Sequence, residues 1–192
     1  MCHKSCLEFG ERYLFHDEIK NKRVLEIGSQ NVNGSLRPFI ESMTPLEYIG
    51  IDVMKGKGVD KILGVEQIVE VFDENSFDLV IATELLEHVF DWKIAVLNIK
   101  KVCKPNGIIL VTTRSPGFAY HGYPKNNFPD YWRFTLEDIQ YIFFDCNILA
   151  LIDDRQHPGV FLKEEKISNF LHINLADYTV FAMEQLNKGK QL

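Results

Sequence analysis

The sequence predicts an α/β domain built on a Rossmann-like, doubly wound parallel sheet with helices on both faces. Three observations lead there. Short apolar runs closed by glycine or aspartate alternate with stretches of helical periodicity, the pattern of parallel strands joined by crossover helices. The 192 residues are the length of one ordinary domain with a sizeable core, and no repeat, low-complexity segment or linker divides them, so residues 1–192 read as a single domain. The alternation ends on two strand patterns joined by Pro158-Gly159, a hairpin signal.

The elements follow in order. Leu7, Leu14, Phe15 and Ile19 recur at loosely helical spacing, which predicts a helix over about residues 5–20 within an N-terminal segment, 1–22, that leads into the sheet. Arg23 to Gly28 is a first buried strand closed by glycine. Gly34 and Ser35 open a helix through about Ser42, and Tyr48 to Asp52 is the second strand. Only Val53 to Val59 separate Asp52 from Asp60, whereas a parallel crossover takes about a dozen residues. The third strand is then a brief extended segment around Lys61–Leu63, or its connection has no helix. Phe77 to Ala82 is a clear strand, followed by a short helical stretch from Glu84 to Val89.

Asp91 can cap the next helix, in which Trp92, Ala95, Val96, Ile99 and Cys103 share one face. Lys104-Pro105-Asn106-Gly107 stops it, and Ile108 to Thr113 is a further strand. Thr135 with Asp138 resembles a capping box for a helix through Phe144. The closing strands are about Ile148–Ile152 and Val160–Lys163.

Composition narrows the function classes. Hydrophobic residues at 46% and charged residues at 25% are those of a folded globular chain. Lys and Arg number 21 against 27 Asp and Glu, a net charge of −6, which argues against a general nucleic-acid binder. No apolar run approaches the roughly 18–20 residues that span a bilayer. The start has no positive segment leading into an apolar stretch, so no signal peptide is read and the expected location is cytoplasmic. Cys103 and Cys146 fall in apolar patterns as small core residues. Cys2 and Cys6, with His3 between them, are of ligating type, but no second Cys/His pair of suitable spacing follows. The expectation is a frayed N-terminus and no metal site.

The chemistry gathers at strand ends, where ligands of open α/β sheets bind. Gly28, directly after a buried strand, lets a ligand approach the backbone, and the helix after Gly34 favours anionic groups. A dinucleotide site would show G-x-G-x-x-G here, and this chain does not. Glu26, two positions before the glycine, suits a cationic group such as an ammonium. Asp52 can accept hydrogen bonds from both hydroxyls of a ribose, a geometry shared by NAD and S-adenosylmethionine sites, or it is a plain strand-end aspartate in a turn.

The set VLEIGS, YIGIDV, NSFDLVIATELLEHV, KPNGIILVTT and DYWRFTLEDI resembles the class I S-adenosylmethionine-dependent methyltransferases, in particular the type-11-like group, from about Arg23 to Lys163. The resemblance implies a seven-stranded sheet in the order 3-2-1-4-5-7-6 with strand 7 antiparallel. It implies S-adenosyl-L-methionine as cofactor, with Glu26 and Gly28 at the methionine end, Asp52 on the ribose, and Ser29, Gly34 and Val65 also among the cofactor-binding residues. Ile51 and Val53 would border the adenine, and Thr83, with Leu85 beside it, the cofactor amine. It further implies a methyl acceptor, expected to be a small molecule. Besides the short connection from Val53 to Val59, the chain departs from the family pattern in two places. Gln30 stands where a second loop glycine is usual, and Gly64 where an acid often meets the adenine amine, leaving backbone groups or an inward-turned Glu66 to read the base.

From Ser115 to Phe134 runs an aromatic connection of about twenty residues, long for a compact domain. It leaves a strand end on the ligand side, so it either forms a lid over an acceptor pocket or packs its aromatics onto the domain. Trp132 would anchor it, and Arg133 would pair with a carboxylate or an anionic acceptor. His88, His121 and Tyr123 are the candidates for moving an acceptor proton, with His88 open between that role and a capping or surface histidine. Two other functions remain: a non-catalytic cofactor-binding or interaction protein on the same fold, and a nicotinamide-dependent oxidoreductase.

Overall fold

The computed structural model describes residues 3–122 and 129–183. The sheet carries seven strands: β1 (Arg23–Ile27), β2 (Glu47–Asp52), β3 (Lys61–Ile62), β4 (Phe77–Thr83), β5 (Cys103–Arg114), β7 (Asn147–Asp154) and β8 (Gly159–Glu165). Their spatial order is β3-β2-β1-β4-β5-β8-β7. β1 to β5 pair in parallel, and β8 runs antiparallel to both β5 and β7. Two short strands outside it, β6 (Trp132–Arg133) and β9 (Phe181–Ala182), pair with each other. With β6 set aside, the order is the expected 3-2-1-4-5-7-6.

Both faces of the sheet are covered. On one, α4 (Ile68–Val71), α5 (Trp92–Val102) and α6 (Leu136–Ile142) pack over the larger core, with Trp92, Ala95, Val96 and Ile99 as the buried stripe of α5. On the other, α1 (Lys4–Tyr13), α2 (His16–Ile19) and α3 (Arg37–Ser42) cover Val24, Leu79, Ile81 and Leu110. The expected caps are present: Asp91 accepts from the Ile94 amide, and Thr135 and Asp138 form a reciprocal capping box. β3 is a brief segment reached without a helix, and Cys103 and Cys146 are buried.

Local expectations are corrected where tertiary contacts override sequence pattern. The N-terminal helix is two pieces, because Leu14 turns extended to bury its side chain and Glu18 caps a new turn at the Phe15 amide. The start is not frayed: the Cys6 thiol donates to Glu84 Oε1 and the His3 amide to Glu84 Oε2, which ties α1 to the end of β4. Cys2 lies outside the described residues. The helix after the first loop begins only at Arg37. Lys104 to Gly107 do not separate helix from strand. Cys103 faces Phe77 while Ile108 faces Leu79, so these residues bulge out within β5, with Asn106 left-handed at φ 62°. After β4 only a 3₁₀ turn, Leu86–His88, forms in place of the longer helical stretch. No helix among the described residues is long and apolar enough to cross a membrane.

Candidate functional site

The carboxyl ends of β1, β2 and β4 open into a cavity of about 510 Å³. Glu26, Gly28, Ser29, Gly34, Asp52, Val53, Val65, Thr83 and Leu85 all line it. Ile51 does not: it is fully buried in the core, because successive side chains of a strand face opposite ways. Glu66 lines the cavity and is exposed, and Gly64 brings no charge there.

The floor is mostly backbone. Gly28 sits at φ +76°, and a Cβ there would lie 3.2 Å from Leu85 Cδ1, so both conformation and space call for glycine. The amides of Gly28 and Ser29 both donate to Ile51 O at 2.9 Å, which pins the β1 exit against β2. Ser29 is buried, and its Oγ has no hydrogen-bond partner among the described residues. The Asp52 carboxylate accepts from the Gln30 amide at 3.2 Å and the Met54 amide at 2.9 Å. Each oxygen keeps a further lone pair for a ligand hydroxyl. Gln30, where a second glycine was expected, therefore serves through its backbone.

Glu26 is 3% exposed and accepts a 2.6 Å hydrogen bond from the Tyr48 hydroxyl. Burial pushes its carboxyl up to about 7, although the Tyr48 hydrogen bond and the nearby Arg37 pull it down. A buried acid with that balance ionises readily once a cation arrives.

The opposite wall is held by charged side chains. Glu84 is left-handed at φ 52°, uncommon outside glycine, and its buried carboxylate pairs with Arg114. That turn projects Glu87 inward and His88 to the cavity. Glu87 is fully buried and accepts from Thr113 Oγ1 at 2.9 Å; burial first, then the Glu84 charge, pushes its carboxyl up to about 7. His88 Nδ1 lies 2.6 Å from Pro129 O, and burial lowers the ring to about 3, so it is neutral at physiological pH. His121, from the aromatic connection, does not line the cavity. Its amide donates to Asp130 Oδ2 and its Nδ1 lies 3.0 Å from the same oxygen.

Arg133 pairs with Asp130 through both terminal guanidinium nitrogens and donates to Phe118 O and Ala119 O. Burial alone would raise the Asp130 carboxyl, but Arg133 and His121 hold it well below the usual range. Trp132 donates its indole N–H to Val89 O at 2.9 Å, and Tyr131 reaches the cavity. Of the two roles expected for the aromatic connection, packing is visible in Trp132 and Arg133. Tyr123 lies outside the described residues.

The family model for a methyltransferase domain matches residues 3–152. The chain belongs to that family. Among solved structures, the 1,6-didemethyltoxoflavin-N1-methyltransferase of Burkholderia thailandensis, solved with 1,6-didemethyltoxoflavin and S-adenosylhomocysteine, aligns at TM-score 0.67 and 11% identity, over 86% of this chain and 80% of its own. An S-adenosylmethionine-dependent methyltransferase from Mesorhizobium loti aligns at 0.62 and 11% identity, over 85% and 99%. The [4+2]-cyclase SpnF aligns at 0.60 and 15% identity, over 83% and 82%. At such identities the likeness is one of fold. Comparison with curated protein sequences finds no match.

In this methyltransferase domain the site residues that sequence reading missed are Glu87, Asp130 and Arg114. All are buried charges on the far wall. The run Glu84-Leu85-Leu86-Glu87-His88 carried a usable signal, since acids in an otherwise apolar turn after a buried strand must find partners inside. No metal was expected, yet Glu87, His88 and His121, all of ligating type, come together above this turn.

Proposed function

We propose that the protein transfers a methyl group from S-adenosylmethionine to a small-molecule acceptor. The observation that carries this reading is the convergence of Glu26, Gly28 and Asp52, from two strand ends, on one cavity. The lining fits the cofactor's parts. The Gly28 cradle admits close approach of a ligand, Ser29 Oγ and Asp52 offer partners to hydroxyls, and Glu26 complements an ammonium. Val53, Val65 and Leu85 give an apolar slot for a flat base.

The bound cofactor supplies a methyl group already activated on a sulfonium. What remains for the chain is to align the acceptor, exclude water and take a proton where the acceptor carries one. His88 lines the cavity wall with His121 behind it, the rings 4.7 Å apart, so the acceptor's proton would leave on this side. Tyr131 lines the cavity, and through it the aromatic connection would cover the acceptor side as a lid.

A titration with S-adenosylhomocysteine against NAD tests the cofactor. Saturable binding of the first alone is expected, and preference for NAD overturns the reading. Turnover of a methyl-labelled donor with candidate acceptors tests the reaction. Because SpnF, named a [4+2]-cyclase, has this fold, binding without label transfer would favour cofactor binding in the service of other chemistry, or none.

A further inference from the structure

The turn after β4 meets the aromatic connection at a cluster distinct from the residues assigned to the cofactor. One ligating atom each from Glu87, His88 and His121 lies within 4.8 Å of the others. Each side chain is oriented from behind. Glu87 Oε2 is held by Thr113 Oγ1, while Oε1 has no hydrogen-bond partner among the described residues. His121 Nδ1 faces Asp130, itself locked by Arg133, and His121 Nε2 also lacks a hydrogen-bond partner among the described residues. The 2.6 Å contact of His88 Nδ1 with the Pro129 carbonyl places the proton on Nδ1 and the lone pair on Nε2.

We propose that Glu87, His88 and His121 bind a divalent transition-metal ion. Two imidazoles and one carboxylate are the donor set of zinc, manganese and iron sites that keep positions open to substrate, whereas magnesium and calcium prefer oxygen alone. At metal–ligand lengths of about 2.0–2.2 Å, neighbouring ligand atoms lie roughly 3–4 Å apart, so the three groups need only a small inward shift. A direct Glu87–His121 hydrogen bond does not explain the cluster, because their nearest oxygen and nitrogen are 4.0 Å apart. Pro129 O behind His88 is an outer partner of the kind that fixes the tautomer of a ligating histidine, and the Asp130 carboxylate stands 3.0 Å from His121 Nδ1.

His88 also lines the cavity, so an ion held by this cluster would sit at the cavity's edge. Resting on the proposed methyl transfer, this narrows the acceptor to a molecule with a hydroxyl oxygen, since a hydroxyl bound to such an ion loses its proton at lower pH.

The test uses the full chain, stripped of metal with a chelator and free of any cofactor. Calorimetric titration with Zn²⁺, and the visible absorption of bound Co²⁺, should report one ion per chain. His121→Ala and Glu87→Gln should each weaken binding by about a hundredfold or more while keeping the circular dichroism of the parent. His157→Ala removes the other histidine pair, in which the His3 and His157 rings stand 4.0 Å apart, and should leave binding unchanged. The proposal is overturned if the folded parent takes up no ion at micromolar Zn²⁺ or Co²⁺. It is equally overturned if binding survives both cluster substitutions or is lost in His157→Ala. Because no cofactor is present, these failures leave the methyl-transfer reading standing, and loss of S-adenosylhomocysteine binding alone leaves the metal site standing.

Discussion

On the wall built by β1 and β2, the cavity is shaped by backbone: a left-handed glycine, two amides on Ile51 O, and two amides on the Asp52 carboxylate. On the wall built by the turn after β4 and the aromatic connection, it is shaped by buried ionisable side chains: Glu84 with Arg114, Asp130 with Arg133, and Glu87 near His121. A backbone wall offers the same surface whatever sits opposite. A charged wall is held by side-chain pairs and fails when one partner goes. The first suits a constant ligand and the second a particular acceptor, so damage to the two should separate into lost cofactor binding and lost stability or acceptor turnover.

The largest effect belongs to the backbone wall. Gly28→Val should abolish S-adenosylhomocysteine binding, because valine at φ +76° is strained and its side chain would meet Leu85. Strain of about 1–3 kcal/mol should lower the unfolding midpoint without unfolding the protein. Normal affinity in a folded variant would place the cofactor elsewhere.

Next comes the charged wall. Arg133→Ala strips the partner from a buried carboxylate, and breaking such a pair costs about 3–5 kcal/mol. Urea unfolding should show that loss. At a temperature where the variant is folded, its affinity for S-adenosylhomocysteine should stay within about threefold of the parent, whereas label transfer should fall. A loss of cofactor affinity matching Gly28→Val would collapse the distinction between the walls.

That distinction also marks how far the sequence could be read. The backbone wall is written locally: a glycine after a buried strand, an acid two positions before it, an aspartate at the next strand end. The sheet and its antiparallel closure were legible for the same reason, since each strand announces itself over a few residues. The charged wall joins Glu84 to Arg114 and Glu87 to His121 across the chain, and no local pattern names those pairs. The bulge at Lys104–Gly107 was read as a helix stop because proline and glycine signal both; only pairing with Phe77 and Leu79 tells them apart.

Asp52→Ala sharpens the backbone wall at a single contact. Removing a charged acceptor of ribose hydroxyls should weaken S-adenosylhomocysteine by about 1.5–3 kcal/mol, roughly ten- to a hundredfold. Part of that loss reflects the Gln30 and Met54 amides, which Asp52 also holds. Since a nucleoside lacking the 2′-hydroxyl forfeits only the ligand contact, comparing it with the parent cofactor on both proteins separates the two contributions. Equal affinities for the deoxy and ribo forms on the parent protein would remove the ribose assignment.

The smallest effect is the one pH reveals, at the buried acid of the backbone wall, Glu26. In the cofactor-free protein burial raises the Glu26 carboxyl from 4.5 to about 7. The folded protein therefore holds this proton longer than the unfolded chain, and Glu26 makes stability fall as pH rises from about 4.5 to about 7, then level off. An ammonium placed beside Glu26 favours the ionised form, so binding releases a proton below pH 7. Affinity for S-adenosylhomocysteine should then climb with pH by up to about tenfold per unit, some 1.4 kcal/mol, until Glu26 is ionised. It should decline again above about pH 8 as the ligand's own amine loses its charge. Arg37, Asp52 and Asp60 also act on Glu26, but the same three remain when it is replaced. Glu26→Gln should thus bind more weakly at pH 7.5 and lose the rise between pH 5.5 and 7. If that variant keeps the parent's slope, the titrating group is another, and the ammonium does not sit at Glu26.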